Sequence, residues 1–376
     1  MLTRLESPRP HFSKVTAIAA LFALSIGMLG LLPNEVNAQS TLHSFDIPKF
    51  ELEPFWPKPL PDRWVTGEFG GVCVDANDHV FILPRGDLTP EEQEVAKAAP
   101  PVIEFDPGGN VVNSWGNRDL LPKRLHGCFV DYEGNVWIGG SEDGIVQKYS
   151  HDGSKMLLQI GIKGRIDTSD GTFSGAAMNS SHVYLNLPTS IAIDPTNGDV
   201  YIADGYLNRR VVVFDREGHY LRQWGRQGTL EEVHAGVGGV FLSTVHCVVI
   251  GRNGLVYVCD WEGRRIEVFD KMGNFRRNYV LVESEAAPLK GGGQTCWMGF
   301  SPDPGQTFLY VGDCGNEEIR IMDRETGKEL SSFGRPGNQV GEFSSTHTLA
   351  VNSKGDIVVA NTAGGRRVDM IRRVGR

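Results

Sequence analysis

Apolar and polar residues alternate over short runs along most of the chain, and Gly, Asn and Asp separate the runs. The stretch LPTSIAIDPTNGDVYIADGYLNRRVVVFDREGHYLRQWG (187–225) contains four such runs, with turn signals at DPTNG, DGYLN and DREGH. Alternation between turn residues predicts antiparallel hairpins. Helical periodicity is found in TPEEQEVAKAAPP (89–101), for which we predict a helix inside a long insertion between strands.

This four-strand pattern recurs six times, in copies that begin at residues 70, 125, 187, 243, 295 and 345. A repeat of about 50 residues with four strands in each copy predicts the blades of a β-propeller. The last copy has three strands, and IPKFELEPFW (47–56) is strand-like. We therefore predict an all-β, six-bladed propeller over 63–376, whose ring is closed by a strand of the N-terminal extension 39–62.

The first 38 residues have the pattern of an export signal. Basic residues precede the apolar run VTAIAALFALSIGMLGLL, and the small residues Val36 and Ala38 follow it. This order predicts a secretory signal peptide cut after Ala38, and hence a periplasmic or extracellular protein with no stable membrane insertion after cleavage. An uncleaved anchor is the alternative, because the run is long for a signal core.

Composition narrows the class of partner. The formal net charge is -9, and no stripe of Lys and Arg is present, which argues against nucleic acid or an anionic membrane surface. We expect a monomer that binds a small molecule or a peptide. The cysteines of an exported chain would form disulfides or remain buried small side chains, and their spacing leaves both open. They are Cys73, Cys128, Cys247, Cys259, Cys296 and Cys314.

Aligning the copies on the turn after the first strand identifies one equivalent residue at the start of each innermost strand. In blade order these ring positions are Gly70, His126, Thr189, His246, Cys296 and His347. Equivalent positions surround the channel of a closed propeller, so every second blade would direct an imidazole at the axis. Three neutral imidazoles with one open position are typical of catalytic zinc. Alternatively, each histidine is simply a polar residue at the start of a strand. Cys296, the ring residue of blade five, would be either a fourth soft ligand or a buried thiol.

The segment GDVYIADGYLNRRVVVFD resembles the NHL repeat of six-bladed propellers. With the motifs LHG, VHC and THT, the chain further resembles the catalytic core of the peptidyl-alpha-hydroxyglycine alpha-amidating lyases. The resemblance implies a zinc bound by His126, His246 and His347. It also implies an active-site arginine in PRGD, Arg85, and an active-site tyrosine in DGY, Tyr206. The implied reaction cleaves the C–N bond of a carbinolamide to an amide and a carbonyl product.

Two positions depart from this family. Trp261 stands where the family has a second arginine, so an aromatic wall replaces a bidentate anchor and favours a less anionic or more apolar substrate. The family's structural calcium uses two backbone carbonyls, which correspond to Val72 and Cys128, and a carboxylate. Thr348 stands at the carboxylate position, and a neutral hydroxyl disfavours calcium there.

Two other functions compete with a lyase. A non-catalytic propeller would bind a peptide or an envelope partner, but it has no need of three converging metal ligands. A metal-dependent propeller hydrolase of the lactonase kind would surround calcium with carboxylate and amide oxygens, which this ring lacks. The residues taken singly also have simpler interpretations: Tyr206 would pack in the DGYLN turn, and Arg85 would be an exposed loop charge.

Overall fold

The computed structural model describes residues 46–281 and 294–375. The secretory signal predicted over 1–38 lies outside these residues. Among the described residues, no helix has the length and apolar character needed to cross a bilayer. The domain boundaries at 39–62 and 63–376 stay predictions.

Short strands make up nearly all of the regular secondary structure. The N-terminal part contains β1 (Lys49–Leu52) and β2 (Trp64–Val65). Blade one contains β3 (Phe69–Val74), β4 (Val80–Pro84), α1 (Pro90–Val95), β5 (Lys97–Ala98), β6 (Val102–Phe105) and β7 (Val111–Trp115). Blade two contains β8 (Leu125–Val130), β9 (Val136–Gly140), β10 (Val146–Tyr149) and β11 (Met156–Ile160). Blade three contains β12 (Pro188–Ile193), β13 (Val200–Asp204), β14 (Arg210–Phe214) and β15 (Tyr220–Trp224).

The second half repeats this plan. A connection holds β16 (Arg226–Gln227), α2 (Leu230–His234) and β17 (Val240–Phe241). Blade four contains β18 (Val245–Ile250), β19 (Leu255–Asp260), β20 (Arg265–Asp270) and β21 (Phe275–Val280). Blade five contains β22 (Thr295–Phe300), β23 (Phe308–Asp313), β24 (Glu318–Asp323) and β25 (Glu329–Phe333). Blade six contains β26 (Thr346–Val351), β27 (Ile357–Asn361) and β28 (Arg367–Val374).

The predicted six-bladed propeller and its closure are confirmed. The innermost strands contact one another in the order β3, β8, β12, β18, β22, β26 and back to β3, so the ring is complete. β1 supplies the fourth strand of blade six, antiparallel to β28, with Lys49 opposite Val374 and Leu52 opposite Ile371. Each innermost strand begins one residue before its ring position, so the ring residue is the second residue of the strand.

The helical predictions need two corrections. α1 ends at Val95 instead of spanning 89–101, because the backbone from Lys97 pairs in parallel with β2. α2 was not predicted from periodicity. Its Thr229 and Glu232 form a capping box, and that local signal identifies the start of a helix too short to show a period.

Buried ion pairs hold the end of the second strand against the third in blades three, four and five. The pairs are Arg210–Asp204 (2.9 Å), Arg265–Asp260 (3.0 Å) and Arg320–Asp313 (2.9 Å, from Nε). Loss of the arginine of one such pair would leave the buried aspartate without a compensating positive charge, which costs about 3–5 kcal/mol. These pairs therefore stabilise the loops that begin one or two residues later, including the loops of Tyr206 and Trp261.

All six cysteines form disulfides, which decides between the two alternatives that their spacing left open. The bonds are Cys73–Cys128, Cys247–Cys259 and Cys296–Cys314. Cys73–Cys128 joins the innermost strands of blades one and two, whereas each of the other two bonds lies within one blade.

Candidate metal centre

Three histidines converge at one end of the channel, as the register predicts. His126, His246 and His347 are the second residues of β8, β18 and β26, and their exposed fractions are 0%, 0% and 7%. One potential ligand atom from each lies within 4.8 Å of those of the other two. His126 Nε2 and His347 Nε2 are 3.0 Å apart. The predicted convergence of these side chains is therefore present, while their role as ligands stays a proposal.

The neighbouring blades orient two of these rings. His126 Nδ1 donates to the Thr189 carbonyl at 2.7 Å, and His246 Nδ1 donates to the Cys296 carbonyl at 2.6 Å. Since a carbonyl can only accept, each Nδ1 carries the proton and each neutral Nε2 presents a lone pair. Among the described residues, no acceptor or donor lies in hydrogen-bonding geometry with His347 Nδ1. The close Nε2 pair of His126 and His347 therefore calls for a proton or a cation between the rings.

Burial keeps the three imidazoles neutral. It lowers the pKa of His126 and of His347 well below the ordinary value, and the other positive groups around the channel lower both further. Burial also lowers the pKa of His246 to about 4. A neutral imidazole is the form that binds a metal ion. The donor set thus fits zinc, which takes nitrogen ligands at about 2.0–2.1 Å.

Tyr206 lies against the same atoms. Its hydroxyl is 2.9 Å from His126 Nε2 and 3.3 Å from His246 Nε2. Burial raises the pKa of the phenol to about 12, although the charges of Arg85 and Arg124 oppose that rise. Tyr206 therefore lies beside the three histidines, while its role in a site stays a proposal.

Arg85 is buried beside the centre, so it is not an exposed loop charge. Its side chain is 7% exposed, and Nη1 donates to Glu68 Oε2 at 2.7 Å and to Thr362 Oγ1 at 3.1 Å. Nε donates to the Leu125 carbonyl at 3.2 Å. The same guanidinium lowers the pKa of all three channel histidines, so its charge acts on the channel. Glu68 and Thr362 were not identified from the sequence, because neither belongs to a motif.

Two tryptophans flank the histidines. The ring of Trp261 is centred 5.0 Å from that of His246, and its buried Nε1 has no hydrogen-bond partner among the residues that the structure describes. The ring of Trp297 is centred 6.1 Å from His246 and 6.4 Å from His126. Trp297 was missed by the sequence reasoning, although it directly follows the ring position of blade five.

The structure also places the three other predicted ligands, Cys296, Val72 and Cys128. Cys296 cannot be a fourth soft ligand, because its sulfur is bonded to Cys314. Val72 and Cys128 line a separate cavity of about 490 Å³ toward the other ends of the innermost strands. The side chain of Thr348 is fully buried, and within residues 46–281 and 294–375 its hydroxyl has no hydrogen-bond partner. A neutral hydroxyl at this position does not fit the anionic oxygen that calcium requires.

Comparison with known proteins finds relatives among amidating enzymes and NHL-repeat proteins. The chain is 27% identical over 315 residues to peptidyl-glycine alpha-amidating monooxygenase B of Xenopus laevis, covering 79% of this chain and 33% of that protein. It is 28% identical over 229 residues to human NHL repeat-containing protein 3, covering 59% of this chain and 57% of that protein. It is 27% identical over 275 residues to peptidyl-alpha-hydroxyglycine alpha-amidating lyase 1 of Drosophila melanogaster, covering 68% and 45%.

The first of these relatives is about three times as long as the matched part, and no family model matches the chain. Among solved structures, a streptogramin B lyase is 11% identical with a TM-score of 0.53, over 87% of this chain and 98% of that one. The virginiamycin B lyase of Staphylococcus aureus is also 11% identical with a TM-score of 0.53, over 87% and 100%. These structures support the propeller fold alone. The chain thus resembles NHL-repeat six-bladed propellers, among them relatives named as amidating lyases, and three of its histidines lie together in the channel.

Proposed function

We propose that this protein is an exported, zinc-dependent lyase that cleaves the C–N bond of a carbinolamide related to a peptidyl-alpha-hydroxyglycine. The observation that carries the proposal is the convergence of three neutral, buried imidazoles beside a half-buried tyrosine and a buried arginine side chain. The relatives named as amidating lyases support the reaction type. The three disulfides support export, because structural disulfides persist in oxidising compartments.

In this proposal His126, His246 and His347 hold one zinc ion per chain through Nε2. When bound, a zinc ion acts as a Lewis acid, which lowers the pKa of a hydroxyl group and stabilises negative charge on its oxygen. The Thr189 and Cys296 carbonyls hold His126 and His246 in the tautomer that leaves Nε2 free.

Tyr206 is the proposed base. Its phenol oxygen lies within hydrogen-bond distance of two of the histidine nitrogens, so it would face a hydroxyl bound at this centre. A cation bound by the three histidines would lower the pKa of the Tyr206 phenol, so that Tyr206 acts as a phenolate. The carbinol O–H proton would pass to this phenolate, the C–O bond would become a carbonyl, and the C–N bond would break. Tyr206 would then return the proton to the departing nitrogen, so the products are an amide and a carbonyl compound and no oxidant is consumed.

Arg85 would hold the substrate's carboxylate or carbonyl oxygen. Its Nη1 donates to Glu68 and Thr362, and its Nε donates to the Leu125 carbonyl. These hydrogen bonds orient the guanidinium. Trp261 and Trp297 would form apolar walls of the substrate pocket. A substrate with an apolar group beside the carbinolamide therefore fits better than a strongly anionic one.

The test is metal content and turnover of the purified mature chain. We expect one zinc equivalent in the channel, so His126→Ala should contain one equivalent less than wild type, and His219→Ala, a matched change at an exposed turn histidine, should contain as much as wild type. Wild-type protein should release a carbonyl product from a panel of carbinolamides, and His126→Ala should not. A zinc-free wild type whose properties His126→Ala leaves unchanged would contradict the lyase and favour a non-catalytic binding propeller.

A further inference from the structure

A second group of titratable side chains joins blades one and two, away from the channel histidines. Asp75 and His79 lie in the turn between β3 and β4, Glu104 lies on β6, and His151 lies in the turn after β10. We call these four residues the rim cluster. Since the channel histidines lie at the starts of innermost strands and these turns follow strand ends, the rim cluster is at the opposite face of the propeller.

The ligand-type atoms of the rim cluster are close together. His79 Nδ1 is 2.6 Å and His151 Nε2 is 3.2 Å from the same atom, Glu104 Oε1. His151 Nε2 is also 4.0 Å from Asp75 Oδ2. The two carboxylate side chains are 4% and 5% exposed, whereas the imidazoles are 30% and 41% exposed. Two carboxylates and two imidazoles thus surround one partly accessible point.

The tautomer of His151 leaves an unshared electron pair inside this cluster. His151 Nδ1 donates to the Gly134 carbonyl at 3.0 Å, so Nδ1 carries a proton. In the neutral ring Nε2 is then an acceptor, and it faces a carboxylate oxygen. Two acceptors at this distance require a proton or a cation between them. A backbone carbonyl that orients the remote nitrogen is also the usual outer partner of a metal-binding histidine.

Asp75 is oriented in a similar way. Its Oδ1 accepts from the backbone N–H groups of Asn77 and His79, both at 2.8 Å. Within residues 46–281 and 294–375, Oδ2 of this buried carboxylate accepts no hydrogen bond. Over the same residues, the salt bridges of Asp75 and Glu104 are made with the two histidines alone. With neutral imidazoles, two nearly buried negative charges lack a compensating cation, which is costly.

The other blades show how this charge is normally compensated. The equivalent turn carboxylates Asp131 and Asp194 are paired with Lys148 at 3.1 Å and with Lys271 at 2.7 Å. Glu104 occupies the position of Lys148, since each pairs with the second residue of the preceding strand, Phe81 or Trp137.

His151 likewise occupies the turn position of Lys271, because each lies two residues before the turn glycine, Gly153 or Gly273. Blade one and its neighbour have therefore replaced both ammonium groups, one by a carboxylate and one by an imidazole. Side chains that can bind a metal ion therefore occupy the positions at which the other blades have a lysine ammonium group.

We propose that the rim cluster binds a divalent transition-metal ion of the zinc type, which links blade one to blade two. The ligands are His79 Nδ1, His151 Nε2 and the carboxylates of Asp75 and Glu104. Four protein ligands of nitrogen and oxygen match a closed structural site. This site is independent of the proposed lyase activity.

A protonated His151 is the competing arrangement. Burial lowers the pKa of this imidazole, but its bonds to the Gly134 carbonyl and to Glu104 raise it above the ordinary value overall. A proton would then take the place of the metal ion. The two arrangements differ in zinc stoichiometry and in the charge of His151 in zinc-saturated protein.

The test is a zinc titration of the chelator-treated full chain, followed by metal analysis after dialysis. Wild type should bind two equivalents, and Glu104→Lys, which restores the lysine of blade two, should bind one while keeping the channel zinc. His151→Gln should bind the second equivalent at least about tenfold more weakly. His219→Gln is the control for an exposed histidine paired with a single aspartate, and it should bind two.

The site is overturned if Glu104→Lys and His151→Gln both bind zinc like wild type, or if His151 is an imidazolium in the zinc-saturated protein by nitrogen NMR. Far-UV circular dichroism and the melting temperature establish that each variant is folded. His126→Ala separates the two proposals, because it should lose the channel zinc and keep the rim zinc.

Discussion

The channel centre and the rim cluster orient histidines in the same way but differ in charge and access. In both, a backbone carbonyl accepts a hydrogen bond from the Nδ1–H of a histidine, so the Nε2 of that ring carries a lone pair. The channel has three imidazoles, fully or nearly buried, and no carboxylate among its proposed ligands. The rim has two carboxylates and two half-exposed imidazoles. Three neutral ligands leave a position for substrate, whereas four ligands including two anions complete the coordination of an ion.

The largest effect should come from the proposed base in the channel. Tyr206→Phe removes the proton acceptor and keeps the aromatic ring, so kcat should fall about a hundredfold to ten-thousandfold. Zinc content should stay at the wild-type value, because the three histidines are unchanged. The matched rim variant Glu104→Lys should alter kcat less than about twofold. Equal losses in both variants would contradict the division of roles.

Each region also has a disulfide beside it, and the two bonds should differ in stabilisation. Cys73–Cys128 closes 55 residues near the rim, and Cys247–Cys259 closes 12 residues beside His246. Loop entropy predicts that these bonds contribute about 4 and about 3 kcal/mol. Urea unfolding of the two double Cys→Ser variants should therefore show the larger loss of unfolding free energy for Cys73/Cys128. The reverse order would show that local packing outweighs chain entropy.

Trp261 should set substrate preference in the channel without affecting the rim. Trp261→Arg places a guanidinium beside His246, and a charged hydrogen bond contributes about 1.5–3 kcal/mol. The ratio of kcat/KM for an anionic over an apolar carbinolamide should therefore rise by about tenfold or more. Trp261→Phe is the control that keeps the aromatic wall, and it should leave the ratio nearly unchanged. An unaltered ratio in Trp261→Arg would remove this residue from the pocket.

The smallest effect on activity should follow mild chelation. The rim imidazoles are 30% and 41% exposed, whereas His126 and His246 are fully buried, so a chelator should remove the rim ion first. We expect one zinc equivalent to be released while kcat falls less than about twofold. Time-resolved release measured with a colorimetric chelator, together with residual turnover, tests this order. Simultaneous loss of both ions and of turnover would contradict it.

Much of the fold and part of the site follow from local sequence. Alternation between turn residues is set by the two-residue period of a strand, so six copies and their register are readable without a structure. That register is what places His126, His246 and His347 at equivalent positions of alternate blades. The roles of Tyr206, Arg85 and Trp261 came from resemblance to a family, and they stay predictions that the geometry supports.

Only the tertiary structure decided which distant residues meet. Cys73 and Cys128 are paired because the innermost strands of neighbouring blades lie side by side, a distance that cysteine spacing does not encode. Arg85 bonds Thr362 because ring closure brings blade six against blade one. The rim cluster likewise combines residues 75 to 151 across a blade boundary. Hydrophobic period is a local property of the sequence, whereas charge compensation between blades depends on how the completed ring brings them together.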